Sequence, residues 1–97
     1  MLKGFRSYEL AVELYEQCQT IKAKGYVRDQ LMRASLSVVL NIAEGSAKPS
    51  AADKRRFYAI ALGSIRETQA ILRLLKHDVA LADRVGGNIY RLVYPKV

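Results

Sequence analysis

The chain has 97 residues, 51% of them hydrophobic, and sixteen Lys and Arg against nine Asp and Glu, a formal charge of +7. That length holds one domain, residues 1–97, with a modest core, and two prolines with six glycines are too few for the many turns of an all-β sandwich. A single cysteine, Cys18, excludes an internal disulfide, and no segment reaches the ~18 apolar residues of a membrane span or resembles a signal peptide, so a cytoplasmic, reducing setting is expected.

The first predicted helix runs from about Ser7 to Lys24. Leu10, Leu14 and Ile21, with Cys18 on the edge, form an apolar stripe at helical spacing, while Glu9, Glu13 and Glu16 share a different face. Ser7 reads as its N-cap, and Lys22, Lys24 and Gly25 as its closing signals. Cys18 is expected to be a small buried hydrophobe rather than a reactive thiol. The second helix spans Arg28 to Gly45, with Gly45 as the residue just past its end. The loop SAKPS follows. Ser50 and Asp53 open the third helix as an S-x-x-D capping pattern. It continues to about His77, with an apolar stripe of Phe57, Ile60, Ala61, Ile65, Ile71, Leu72 and Leu75. The fourth, Val79 to Val93, keeps its spacing through Leu81, Val85, Ile89 and Leu92. Gly86-Gly87 predicts a bend or break in it, because glycine costs ~1 kcal/mol relative to alanine in a helix. Four helices with short links predict an all-α, antiparallel up-down bundle.

The second helix is apolar over most of its circumference. On a wheel at ~100° per residue, Gln30, Arg33, Ser37, Asn41 and Glu44 fall within an arc of ~80°. The rest is Leu31, Met32, Ala34, Leu36, Val38, Val39, Leu40, Ile42 and Ala43, with Ser35 alone among them. A surface helix needs an apolar stripe only somewhat wider than ~100°, so this one is expected to face the core on one side and another subunit on the other. The polar stripe then needs partners, since buried polar groups are costly when unpaired. Ser64 and Glu67 on the third helix are placed to supply them. Arg33, Ser37, Asn41, Glu44, Ser64 and Glu67 are therefore expected to form a structural polar network, with Arg33 paired to Glu67 or Glu44 and Asn41 to Ser64 or backbone groups. If the Arg33–Glu67 pair is buried, losing one partner should cost ~3–5 kcal/mol. A binding pocket built from the same residues is the rival reading. No catalytic set supports a hydrolytic one: the only histidine, His77, lies at the far end of the third helix, as a C-terminal cation, and makes no metal site with Cys18. Neither enzymatic activity, cofactor nor metal is expected.

From Asp29 to Leu72 the chain resembles the small four-helix-bundle proteins encoded within intervening sequences of bacterial large-subunit ribosomal RNA genes. Their RA-x-x-S block leading into N-x-AEG is matched by Arg33-Ala34, Ser37 and Asn41-Ile42-Ala43-Glu44-Gly45. Their RF…A-x-GS-x-x-E block is matched by Arg56-Phe57, Ala61, Gly63-Ser64 and Glu67, and Phe5, Leu10 and Leu14 fit the first helix. The resemblance implies a homopentamer without enzymatic activity. It also implies kinship in fold with accessory proteins of diversity-generating retroelements, basic pentamers that bind nucleic acid and a reverse transcriptase.

The third helix carries the one suggestive charge pattern. Relative to Arg55, Arg66 stands at about +20° and Arg73 at about 0°, with Lys54 and Lys76 beside them and Lys48 in the preceding loop. From Lys48 to Lys76 there are seven basic residues and two acidic ones. This stripe is expected to face away from the core, into solvent or a central channel. By itself it would be an ordinary solvated face, paired with the Glu9, Glu13 and Glu16 face of a neighbouring helix. Repeated around a ring of subunits, it becomes a field that attracts polyanions. Lys48, Lys54, Arg55, Arg66, Arg73 and Lys76 are thus the candidate nucleic-acid-binding residues, for RNA or DNA through phosphates. Base-specific readout is not expected, because the six tyrosines are scattered along the chain rather than interleaved with arginines. The alternative is a structural or protein-binding oligomer, such as an accessory subunit to a reverse transcriptase or another acidic partner, without direct nucleic-acid binding.

Overall fold

The computed structural model describes the backbone of residues 2–96 and the side chains from Phe5 to Lys96. It contains four helices: α1 (Leu2–Gln19), α2 (Gly25–Ser46), α3 (Ala51–Leu74) and α4 (Ala80–Val93). Each helix packs against the next in the chain, and α4 closes against α1, while the diagonals α1–α3 and α2–α4 make no close approach. This is a four-helix bundle. Its longest dimension, 40 Å, is close to the ~36 Å that α3 spans at 1.5 Å per residue.

The core is built from the faces that sequence periodicity picks out. Leu10, Leu14, Cys18 and Ile21 from the first segment, Leu31, Val38 and Ile42 from α2, Ile65 and Leu72 from α3, and Val85 and Ile89 from α4 are all buried. Tyr58 and Thr68 are buried as well. Ile60, assigned to the core from spacing, is exposed: it lies on the outer side of α3, near the seam with α2.

Several helix ends differ from the sequence reading. Ser7 is not a cap; α1 begins before it, and its small side chain is buried inside the helix. The helix stops at Gln19 rather than Lys24, and the chain turns so that Ile21 still reaches the core. Gly25, read as a closing signal of α1, has φ +56° and instead opens α2. Gly45 is helical and buried, because its bare backbone lies against Tyr58; an added Cβ would sit 2.8 Å from that ring. The Ser50 cap is present, its Oγ accepting from the Asp53 N–H at 3.1 Å. α3 ends at Leu74, three residues before His77. There the Lys76 N–H donates to the Arg73 carbonyl and the His77 N–H to the Leu72 carbonyl at 2.9 Å. These are the two bonds of a Schellman cap, with Lys76 at φ 57° in the place glycine usually holds. α4 is continuous through Gly86-Gly87. The expected break does not occur, because Gly86 is buried with the Arg66 guanidinium and the Gln69 amide lying where a side chain would stand.

Candidate nucleic-acid interface

The polar residues of α2 and α3 meet along the seam between the two helices. Ser37 Oγ and Ser64 Oγ are 2.8 Å apart, and Asn41 Nδ2 donates to both the carbonyl and the hydroxyl of Ser37. The Ser64 carbonyl accepts in turn from Thr68 Oγ1. Arg33 Nη2 reaches Glu67 Oε2 at 2.9 Å and also donates to Gln30. The pair is not buried in a single chain: the two side chains are 60% and 41% exposed. The α2–α3 seam opens outward at that level, so the uncompensated-charge penalty of ~3–5 kcal/mol does not apply to the subunit alone, and ~1 kcal/mol or less does. Glu44 does not join the network. It lies one turn beyond Asn41 and pairs with Lys48 at 3.0 Å.

Beside this seam the outer surface is apolar. Leu36 and Leu40 on α2 and Ile60 on α3 are exposed, Leu40 to 56%, and Leu74 farther along α3 to 80%. Leu36 and Leu40 are the residues that make α2 apolar beyond the arc one bundle core can cover. Leu31, Val38 and Ile42 on the opposite side are buried in the core.

The six basic candidates do not form one uninterrupted face. Arg55, Arg66 and Arg73 are all exposed, as helical spacing requires. Two of them lean toward α4 rather than toward α1: Arg73 Nη2 stands 3.6 Å from Asp83 Oδ1, and Arg66 lies against Gly86 with Nη1 donating to Gln69 Oε1 at 3.0 Å. Gln69 Nε2 donates to the same Asp83 carboxylate. Asp83, not the acidic face of α1, is therefore the counter-charge of the stripe within the subunit. Arg55 makes no ion pair among the described residues. Lys48 and Lys54 stand apart at the α2–α3 turn: Lys48 Nζ lies 5.0 Å from the Phe57 ring centre as well as beside Glu44, and Lys54 Nζ donates to the Ser46 carbonyl. Lys76 closes the far end of α3. Arg66 and Arg73 thus line the α3–α4 edge, and two of the lysines fasten the α2–α3 turn.

Two residues that helical spacing alone left scattered are brought together here. Tyr90 and Tyr94, one turn apart at the end of α4, are both exposed, with ring centres 4.9 Å apart. The signal was available as an i, i+4 pair, but the predicted fourth helix ends at Val93, one residue short of Tyr94. Cys18 is buried, and burial pushes its thiol above the ordinary value of 9.0 against an opposing hydrogen bond from Ser35. It is neutral and packed, not poised to react.

Among protein families, residues 5–92 match the one described as 23S rRNA-intervening sequence protein. No curated protein and no solved structure matches the chain.

Proposed function

Because the chain belongs to the 23S rRNA-intervening sequence protein family, we propose that it is a basic, non-enzymatic homo-oligomer of the cytoplasm. It binds RNA or DNA through phosphate contacts without reading base sequence. The observation that carries this is the exposure of Arg55, Arg66 and Arg73 along one edge of α3, in a chain of formal charge +7. Each subunit is an antiparallel up-down bundle. Supporting this, partners along α2 and α3 run in opposite order, Arg33 with Glu67 and Ser37 with Ser64. The links after Gln19, Ser46 and Leu74 are also too short to cross the bundle's length. The apolar surface of Leu36, Leu40 and Ile60 is where a second copy docks, since these large apolar side chains are otherwise left in water. Five subunits is what the family resemblance implies. No helix among the described residues is long and apolar enough to cross a membrane.

A second reading is favoured by one contact. Arg73 already pairs with a carboxylate, that of Asp83, so the same edge suits an acidic protein surface, as in an accessory subunit to a reverse transcriptase. The two readings separate by titration with ribosomal RNA fragments and duplex DNA over a range of salt. Phosphate binding releases counterions, so log affinity falls with log salt at a slope near −0.9 per neutralised duplex phosphate. Replacing Arg55, Arg66 and Arg73 with glutamine flattens that slope and leaves the helical signal unchanged. Absence of nucleic-acid binding by the intact oligomer at low salt gives the protein-binding reading instead.

A further inference from the structure

The outer face of α4 carries two aromatic rings for which phosphate binding has no use. From Asp83 onward, Gly87, Tyr90, Arg91 and Tyr94 recur at steps of three and four, which places them on one side of the helix, with the buried Gly86 at its edge toward α3. The rings of Tyr90 and Tyr94 are tilted by 48° to each other, and both remain open to solvent. A Cβ on Gly86 would meet Arg66 Nη1 at 3.0 Å, and one on Gly87 would meet Arg91 Nη1 at 3.7 Å. Two guanidinium groups therefore lie along the bare backbone of Gly86 and Gly87, one turn before Tyr90. Asp83, the acid on this face, is already engaged by Arg73 and Gln69. One exposed tyrosine is ordinary. A solvent-open pair beside arginines is what base stacking with phosphate anchoring requires.

We infer that this face binds a single-stranded polynucleotide, its bases stacking on Tyr90 and Tyr94 while Arg66 and Arg91 hold its phosphates. The inference rests on the nucleic-acid reading above and narrows it to unpaired strands. A duplex keeps its base faces inside and offers this surface only phosphates. An acidic peptide would engage the arginines but has no flat faces to lay on the rings.

The test uses the full chain and three polyanions matched in charge: oligouridylate, a duplex RNA and inorganic polyphosphate. Each is titrated against the parent, a Tyr90→Leu/Tyr94→Leu variant and a Tyr90→Phe/Tyr94→Phe variant, with circular dichroism and sedimentation confirming fold and assembly. The parent binds oligouridylate more tightly than the other two. The leucine variant loses roughly ten-fold or more of that affinity without a change in salt slope or duplex binding, and the phenylalanine variant retains it. If the double leucine variant unfolds, Tyr94→Leu alone, just beyond the last residue of α4, supplies the comparison. A folded leucine variant that binds like the parent, or a parent that prefers the duplex, overturns the inference while phosphate binding stands. A parent that binds none of the three overturns both.

Discussion

Lys76 holds φ at 57° to complete the cap of α3, a conformation that costs a residue with a Cβ ~1–2 kcal/mol. Lys76→Gly should therefore raise stability by about 1 kcal/mol in urea unfolding, whereas Lys76→Gln, which keeps the strain and removes the charge, should not. Cys18 gives a pH signature. Its folded pKa is raised above the ordinary 9.0, so the unfolded chain loses the thiol proton first. The associated stability is intact below about pH 9 and declines as pH climbs toward the folded value. In Cys18→Ala that part of the alkaline decline disappears, which thermal melts at pH 8 to 10 would register. Sequence alone grouped Arg33, Ser37, Ser64 and Glu67 in one polar network but left open whether Arg33 pairs with Glu67 or Glu44; the structure pairs Arg33 with Glu67 and Ser37 with Ser64. Sequence also left the burial of the ion pair as a condition, because a helical wheel fixes direction but not depth. With both partners exposed in the subunit, Arg33→Ala should lower subunit stability by ~1 kcal/mol or less.

The three glycines Gly45, Gly86 and Gly87 all lie inside helices yet meet different surroundings. A Cβ at Gly45 would stand 2.8 Å from the buried Tyr58 ring, while one at Gly87 would find only Arg91 at an ordinary 3.7 Å. Gly87→Ala should thus gain up to ~1 kcal/mol of helix propensity. Gly45→Ala should lose ~1–2 kcal/mol despite the same propensity gain, because overpacking outweighs it. Equal effects of the two substitutions on the denaturation midpoint would refute this account of the packing. Helix number and the buried faces were legible from spacing, since Leu10, Leu14, Ile65, Leu72, Val85 and Ile89 repeat at 3.6. What was not legible is why a glycine is there. Gly45 read as a helix end and Gly86-Gly87 as a break, but Gly45 and Gly86 each answer a side chain from the neighbouring helix, and that depends on tertiary register.

For the molecule as a whole, α2 has more apolar circumference than a single bundle buries: Leu31, Val38 and Ile42 go to the core, and Leu36 and Leu40 remain outside. That Arg55, Arg66 and Arg73 share an exposed face was legible from spacing alone. The turn of Arg66 and Arg73 toward α4 was not, since it depends on Asp83, Gln69 and the bare backbone of Gly86, which α4 brings alongside. Assembly is the premise on which the charge argument rests, as one subunit's stripe is an ordinary solvated face and a ring of them is a polyanion-attracting surface. Sedimentation equilibrium of the parent and of Leu40→Glu, at micromolar concentration, tests it most directly. The parent should sediment as a multiple of the 10.9 kDa chain, five-fold if the family assembly holds, and Leu40→Glu should shift it toward the folded monomer. A parent that is well folded at 10.9 kDa, or a Leu40→Glu variant that assembles unchanged, would contradict the account.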